Sequence, residues 1–297
     1  MTNSTSDSPT PRDDATAQRS DVTARDVHIE VRGLTMQYGK RVIQRDLNFS
    51  IYRGDVFVIM GGSGCGKSTL LRHMIGLLQP AAGQILIDDE DFFAATPERQ
   101  LAMRRQWGIT YQRGGLFSDL TLAENVAVPL QQYTRLTPAE IRDTIEYKLA
   151  LVGLAGFEDY YPAELSGGMQ KRAAFARALA LDPELLFFDE PSAGLDPLSS
   201  QRLDELIMQI RESMGGTVVI VTHELASILA IANNSIFLDA DSKTQLDYGN
   251  PRELLAHSEH EVVRRFLSRG ALTPTPSPLD PLGPAGRGEF NNAGERA

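Results

Sequence analysis

Residues Gly61, Gly62, Ser63, Gly64, Cys65, Gly66, Lys67, Ser68 and Thr69 follow an apolar run of strand type, Val56 to Met60, and open one of helix type that carries Leu70, Leu71, Met74 and Ile75. In that context the segment reads as a phosphate-binding loop. Glycines at 61, 64 and 66 let the backbone take positive φ and turn its N–H groups around a phosphate, while the following helix adds the positive end of its dipole. Lys67 can then neutralise phosphate charge, and Ser68 can offer its hydroxyl to Mg²⁺. Cys65 has two readings, a thiol whose alkylation blocks the loop or a small residue whose backbone alone matters. The second is favoured, because reactivity needs a lowered pKa and access.

Two further segments carry groups that suit the same chemistry. The run Leu185 to Phe188 ends in Asp189 and Glu190, and a buried strand would deliver both acids to the carboxyl edge of a sheet, beside the phosphate loop. Asp189 suits a Mg²⁺ shell built from one or two carboxylates plus phosphate oxygens and water. Glu190 is then placed to polarise an attacking water, a role worth about 10²- to 10⁴-fold in rate. Upstream, Leu165-Ser166-Gly167-Gly168-Met169-Gln170-Lys171-Arg172 precedes a helical apolar pattern of Ala173, Phe175, Ala176 and Leu179. Ser166 is a helix cap with two glycines behind it, either a second anion site or a capped helix with no ligand.

These groups need a rigid scaffold, and the composition supplies one. The 297 residues are 42% hydrophobic, enough for one large domain or two small ones. Twenty-nine Lys and Arg against 39 Asp and Glu leave a net charge of −10, which disfavours nucleic acid as a partner. One cysteine excludes an intramolecular disulfide and suits a reducing cytosol. No run approaches the ~20 apolar residues of a membrane span, so work at a membrane would need spans from another chain. Residues 1 to 25 are polar and Pro-bearing, and residues 271 to 297 are rich in Pro and Gly. Both read as disordered tails.

Between the tails, strands are expected at His28–Gly33, Leu47–Ile51, Val56–Met60, Gln84–Asp88, Glu184–Asp189, Thr217–Thr222 and Ser235–Asp239. Helices are expected over Ser199–Arg211, from Glu224, and over Pro251–His257 and Glu259–Leu267. From Leu116 to Ala155 apolar residues recur at helical spacing, and Thr137-Pro138-Ala139-Glu140 is a helix start. Short apolar strands alternating with helices argue for an α/β fold with a mostly parallel sheet covered on both faces.

Taken together, these segments resemble the ATP-binding cassette (ABC) family from about Val27 to Gly270. Lys67, Gln112, the LSGGMQKR segment, Asp189-Glu190, Ser192-Ala193-Gly194-Leu195-Asp196 and His223 in Val-Thr-His-Glu fall in the family's order. The resemblance implies a P-loop NTPase of ABC-ATPase type over residues 26–270. It would have a mostly parallel core sheet, an antiparallel β subdomain and an inserted helical subdomain at about 113–180. It also implies ATP and Mg²⁺ as cofactors and ATP hydrolysis coupled to transport. Tyr38 would stack on adenine, Gln112 would touch Mg²⁺ and the attacking water, and His223 would contact the γ-phosphate. Ser166, Gly167, Gly168 and Asp196 would cross to the nucleotide of a second copy. One phosphate loop and one signature per chain therefore imply a homodimer holding two ATP.

The stretch Arg113-Gly-Gly-Leu-Phe-Ser-Asp-Leu to Pro129-Leu130 is similar to the ATPases of Mla-type lipid transporters, which serve proteins with MCE domains. That resemblance implies a multi-span permease and an MCE-domain lipid-binding protein as partners, on the cytoplasmic side of the inner membrane, with phospholipid moved. Leu116, Phe117 and Leu120 are the expected permease-docking residues, although they could instead staple the helical segment to the core. Two other readings stay open. One is the ATPase of a different importer, for polar amino acids or another small solute. The other is a non-transport ABC protein acting on nucleic acid, ribosomes or membrane regulation.

Overall fold

The structure is a computed structural model that describes residues 26–112 and 114–269. Both tails expected to be disordered, residues 1–25 and 271–297, lie outside the described residues, as does Arg113.

Two sheets build the scaffold. The first is antiparallel, in the order β2-β1-β4-β5, from β1 (Val27–Tyr38), β2 (Arg41–Tyr52), β4 (Ala82–Ile87) and β5 (Glu90–Asp91). The second has the order β10-β9-β3-β8-β7-β6, from β3 (Val56–Gly61), β6 (Trp107–Thr110), β7 (Leu185–Asp189), β8 (Thr217–Val221), β9 (Asn234–Leu238) and β10 (Gln245–Gly249). Its strands run parallel except β10, which is antiparallel to β9.

The side-chain alternation of β3 divides the core in two. Val56, Val58 and Met60 face one apolar cluster, shared with the helical segment, while Phe57 and Ile59 face another, shared with the antiparallel sheet. A strand buried on both faces has no polar side, which is why β3 reads as an unbroken apolar run.

Nine α-helices surround the sheets among the described residues: α1 (Lys67–Met74), α2 (Pro97–Arg104), α3 (Leu122–Tyr133), α4 (Pro138–Leu151), α5 (Gly167–Ala178), α6 (Pro197–Met214), α7 (Leu225–Ile231), α8 (Pro251–His257) and α9 (Glu261–Ser268). Helices α3 and α4 both start with capping boxes, Thr121 with Glu124 and Thr137 with Glu140. They pack on each other and on α5, through buried Leu122, Val126, Leu130, Ile145, Leu149 and Phe175. None of the helices is long and apolar enough to cross a membrane.

Strands β1 and β2 are longer than expected, and α2, β6 and β10 were not foreseen. Polar Arg41, Gln44, Arg45 and Asp46 interrupt the alternation of β2, and Asp46 takes φ 51° where the pairing with β1 shifts register. Strand β6 is only four residues long, too short for a period to be read.

Candidate functional site

The loop between β3 and α1 has the expected backbone. Gly61, Gly64 and Gly66 take φ of 141°, 76° and 104°. A Cβ on Gly61 would meet the carbonyl oxygen of Leu238 at 2.3 Å, and one on Gly66 would meet Ile43 Cγ2 at 2.7 Å, so both positions require glycine for space as well as conformation. Gly62, Ser63 and Gly64 are exposed. Lys67 Nζ donates to the carbonyls of Gly61 and Gly62, each at 3.0 Å, which holds its charge over the loop. Thr69 is half-buried on the same turn of α1.

Cys65 is 1% exposed, and burial pushes its thiol pKa up. It serves as a small buried residue, and its carbonyl accepts from Gln44 Nε2 at 2.7 Å. The same nitrogen donates to the carbonyl of Asp239 at 2.7 Å, so the fully buried Gln44 clamps the loop against the end of β9.

The end of β7 lies beside α1. Ser68 Oγ donates to Asp189 Oδ1 at 3.2 Å, which puts hydroxyl and carboxylate within one small ion's reach. Burial raises the Asp189 pKa, opposed by the Ser68 hydrogen bond and reinforced by the negative charge of Glu190.

Glu190 takes φ 50°, a left-handed conformation that costs a non-glycine residue about 1–3 kcal/mol and clusters at functional sites. Its N–H donates to the carbonyl of Val221 at 2.8 Å. Parallel pairing sets Asp189 against Val221, so His223, two residues past β8, arrives beside Glu190, one residue past β7. His223 Nδ1 is 2.9 Å from Glu190 Oε1 in hydrogen-bond geometry and also 2.9 Å from Oε2. Both carboxylate oxygens thus face the same Nδ1, and Oε2 is buried.

Ser166 caps α5 by accepting from the N–H of Met169 at 3.3 Å. Ser166 and Gly167 are exposed, and Gly168 approaches Leu195. Asp196 caps α6, accepting from the N–H of Ser199 at 3.0 Å and from its hydroxyl at 2.5 Å, and the Ser199 hydrogen bonds lower its carboxyl pKa. Among the described residues no hydrogen bond joins the loop 61–69 to Ser166, Gly167, Gly168 or Asp196. The structure therefore assembles Lys67, Ser68 and Asp189 in one group and Glu190 with His223 in its neighbour, and leaves the α5 and α6 termini facing outward.

Tyr38, at the end of β1, is 46% exposed and so not a core tyrosine. Gln112 is exposed. The three docking candidates divide: Leu116 is half-buried against the larger core cluster and Leu120 is half-buried, while Phe117 is 49% exposed.

Four residues shape the site in ways the sequence does not announce: Gln44 and Arg177 stand in no motif, and Asn125 and Lys171 stand inside motifs that give them no role of their own. Buried Asn125 accepts from the N–H of Phe117 at 2.8 Å and donates to the carbonyls of Phe117, Leu120 and Thr121 at 2.9 to 3.1 Å. Arg177 donates to the carbonyls of Gly115 and Gly114 at 2.7 and 3.3 Å, and its guanidinium stands 5.6 Å from the centre of the Phe117 ring. Lys171 donates to the carbonyls of Ala193 and Glu190 at 2.5 and 3.4 Å. The one available signal was Asn125, a lone polar residue on the apolar face of α3.

Comparison with known proteins agrees with this geometry. The family model for ABC transporters matches residues 44–193. The chain is 42% identical over 248 residues to the probable ribonucleotide transport ATP-binding protein Mkl of Mycobacterium tuberculosis, covering 84% of this chain and 68% of that one. It is 40% identical over 236 residues to the intermembrane phospholipid transport system ATP-binding protein MlaF of Haemophilus influenzae, covering 80% and 89%. Among solved structures, the dimeric ATP-binding cassette MJ0796 bound to ADP and Pi superposes with a TM-score of 0.68 at 29% identity, covering 75% of this chain and 98% of that one. These likenesses extend over most of the chain, and the chain belongs to the ABC transporter family as an ATP-hydrolysing, ATP-binding subunit.

Proposed function

We propose that two copies of this chain enclose two ATP-Mg²⁺ head to tail, and that their closure and reopening drive the movement of phospholipid through a separate membrane permease. The observation that carries the hydrolytic part is the position of Glu190, paired with His223 and directly following Asp189, whose carboxylate accepts from Ser68 at the end of the phosphate loop.

The residues present fit Mg²⁺ when it arrives with the triphosphate. Ser68 and Asp189 supply one hydroxyl and one carboxylate, already hydrogen-bonded to each other. Among the described residues no group of three or more His, Cys, Asp and Glu could hold an ion by itself. That balance suits a cation taking most of its oxygens from phosphate and water, with Gln112 as a further ligand. When bound, the ion would neutralise charge on the phosphates. The chain's own groups do the rest. The loop 61–66 and Lys67 bind the phosphates, Tyr38 offers an exposed ring to adenine, and Glu190 accepts a proton from the attacking water. His223 is oriented by Glu190 through Nδ1, which leaves Nε2 as its outward nitrogen. In the closed dimer Ser166, Gly167, Gly168 and Asp196 reach the partner's nucleotide, and only the triphosphate bridges both surfaces.

The lipid assignment is supported by likeness to MlaF along nearly all of that protein and by the docking segment around Phe117. It places the subunit on the cytoplasmic face of the inner membrane, with a multi-span permease and an MCE-domain protein as partners. The likeness to Mkl, named for ribonucleotide transport, keeps small-solute transport as a second reading. Extraction of the native complex in mild detergent through this subunit, with copurifying proteins and lipids identified by mass spectrometry, separates the two. A permease with an MCE-domain protein and phospholipid is the expected result. A permease with a small-solute binding protein would discard the lipid, and recovery of no membrane protein would discard transport.

A further inference from the structure

The amino group of Lys171 reaches out of α5 to the backbone on which the catalytic carboxylate stands. Nζ lies 2.5 Å from the carbonyl oxygen of Ala193 and 3.4 Å from that of Glu190. The Glu190 carbonyl also accepts from the N–H of Ala193 at 3.2 Å, and Leu195 N–H donates to Ser192 at 3.0 Å. The chain between β7 and α6 is thus a pair of tight turns that starts with a residue at φ 50°. Lys171 is its cationic cross-brace. The ammonium is half-buried, which lowers its pKa, and the nearby carboxylates of Glu224 and Glu190 oppose that shift only in part.

Lys171 lies about one helical turn beyond Gly167, the first residue of α5. A helix is stiff over so short a distance, so a displacement of Ser166, Gly167 and Gly168 is carried to Nζ. The residues at the start of α5 face outward toward a partner's nucleotide. The residue that Nζ braces serves the chain's own nucleotide.

We infer that Lys171 is a positioning residue: it fixes the left-handed backbone of Glu190 from α5, so that docking of that helix on one ATP sets the aim of the carboxylate on the other. This rests on the assignment of Glu190 as base and of the α5 terminus to the partner's nucleotide. Nothing in the inference requires Lys171 to touch ATP. Its loss should therefore change turnover and leave nucleotide affinity alone.

The test uses the full-length homodimer with Lys171→Met and Lys171→Arg beside Glu190→Gln, measuring ATPase kcat and KM, equilibrium nucleotide affinity and thermal melting. Lys171→Met is expected to lower kcat by about ten- to a hundredfold, the scale of a small misplacement of a catalytic group, with KM and affinity within about twofold of the parent. Lys171→Arg, which keeps a cation able to donate to both carbonyls, is expected to recover most of the rate. A Lys171→Met enzyme with unchanged kcat, while Glu190→Gln is inactive, overturns the link alone. Loss of kcat together with affinity and melting temperature, without rescue by arginine, overturns it in favour of a purely structural brace. Continued turnover by Glu190→Gln removes the base assignment, and with it the foundation of the inference.

Discussion

His223 Nδ1 lies 2.9 Å from Oε1 of Glu190, although the two residues are 33 positions apart and follow different strands. Adjacent parallel strands bring them together, since β7 and β8 end level with each other. An ionised carboxylate accepts only, so the pairing selects the Nδ1–H form of the ring. The second carboxylate oxygen lies at the same 2.9 Å from Nδ1 and is buried. One contact thus orients the histidine ring against the carboxylate.

Glu190→Gln keeps the shape and one oxygen of the side chain but removes its capacity to take a proton. ATP hydrolysis is expected to fall by about 10²-fold or more, with nucleotide binding retained. Closed dimers should accumulate in ATP, visible by size-exclusion chromatography with light scattering. A variant hydrolysing at near the parental rate would remove Glu190 from the mechanism.

Phe117→Asp tests permease docking. The ring is half exposed, so the substitution is expected to change stability by no more than about 1 kcal/mol. ATP affinity of the isolated subunit should be unchanged while copurification of the permease is lost. A large fall in melting temperature would instead assign Phe117 to the core.

Asn125→Ala removes the fully buried amide that accepts from one backbone N–H and donates to three carbonyls of residues 117–121. Leaving such groups unpaired is expected to cost about 2–3 kcal/mol. Thermal or urea melting reads the loss, and hydrogen exchange should show its extra opening concentrated in residues 114–121. Unchanged stability would mean that water replaces the amide without cost.

Cys65 should resist alkylation. Its side chain is 1% exposed and burial raises the thiol pKa, so both access and thiolate are scarce. Maleimide labelling at neutral pH is expected to be slow in the folded protein and to become rapid in denaturant, with or without ATP. Fast labelling of the folded chain that ATP blocks would identify a reactive site thiol.

Asp204, on α6, is pushed by burial from its ordinary 3.8 up to about 6, opposed by a hydrogen bond from Ser227 and reinforced by Glu224 and Glu205. Between those values the folded chain binds more protons than the unfolded one, so this residue's contribution to stability falls as pH rises through that window. Asp204→Asn is therefore expected to raise the melting temperature at about pH 7.5 by a few degrees, about 1 kcal/mol once its partial exposure is allowed for. The advantage should shrink on acidification through about pH 6 toward 4. A pH-independent difference would detach it from the ionisation of Asp204.

The phosphate loop was legible because its chemistry is made by consecutive residues: glycines at 61, 64 and 66 determine their own backbone, and Lys67 and Ser68 follow on the same turn of helix. The capping box at Thr137 and the bounds of α8 were legible for the same reason. Short edge elements such as β6 and β10 were not, since four or five residues of mixed polarity carry no period.

By itself the sequence determined which groups can bind and cleave a nucleoside triphosphate, in what order they come, and that strands alternate with helices to hold them. Only the tertiary structure decided how those groups are held against one another. Gln44 reaches carbonyls 21 and 195 residues away, Arg177 fastens Gly114 and Gly115 across more than 60 residues, and Glu190 meets His223 because two strands end at one level. The reason is physical. A backbone carbonyl looks the same at every position in a sequence, so which long side chain will meet it is settled only when the strands and helices have packed.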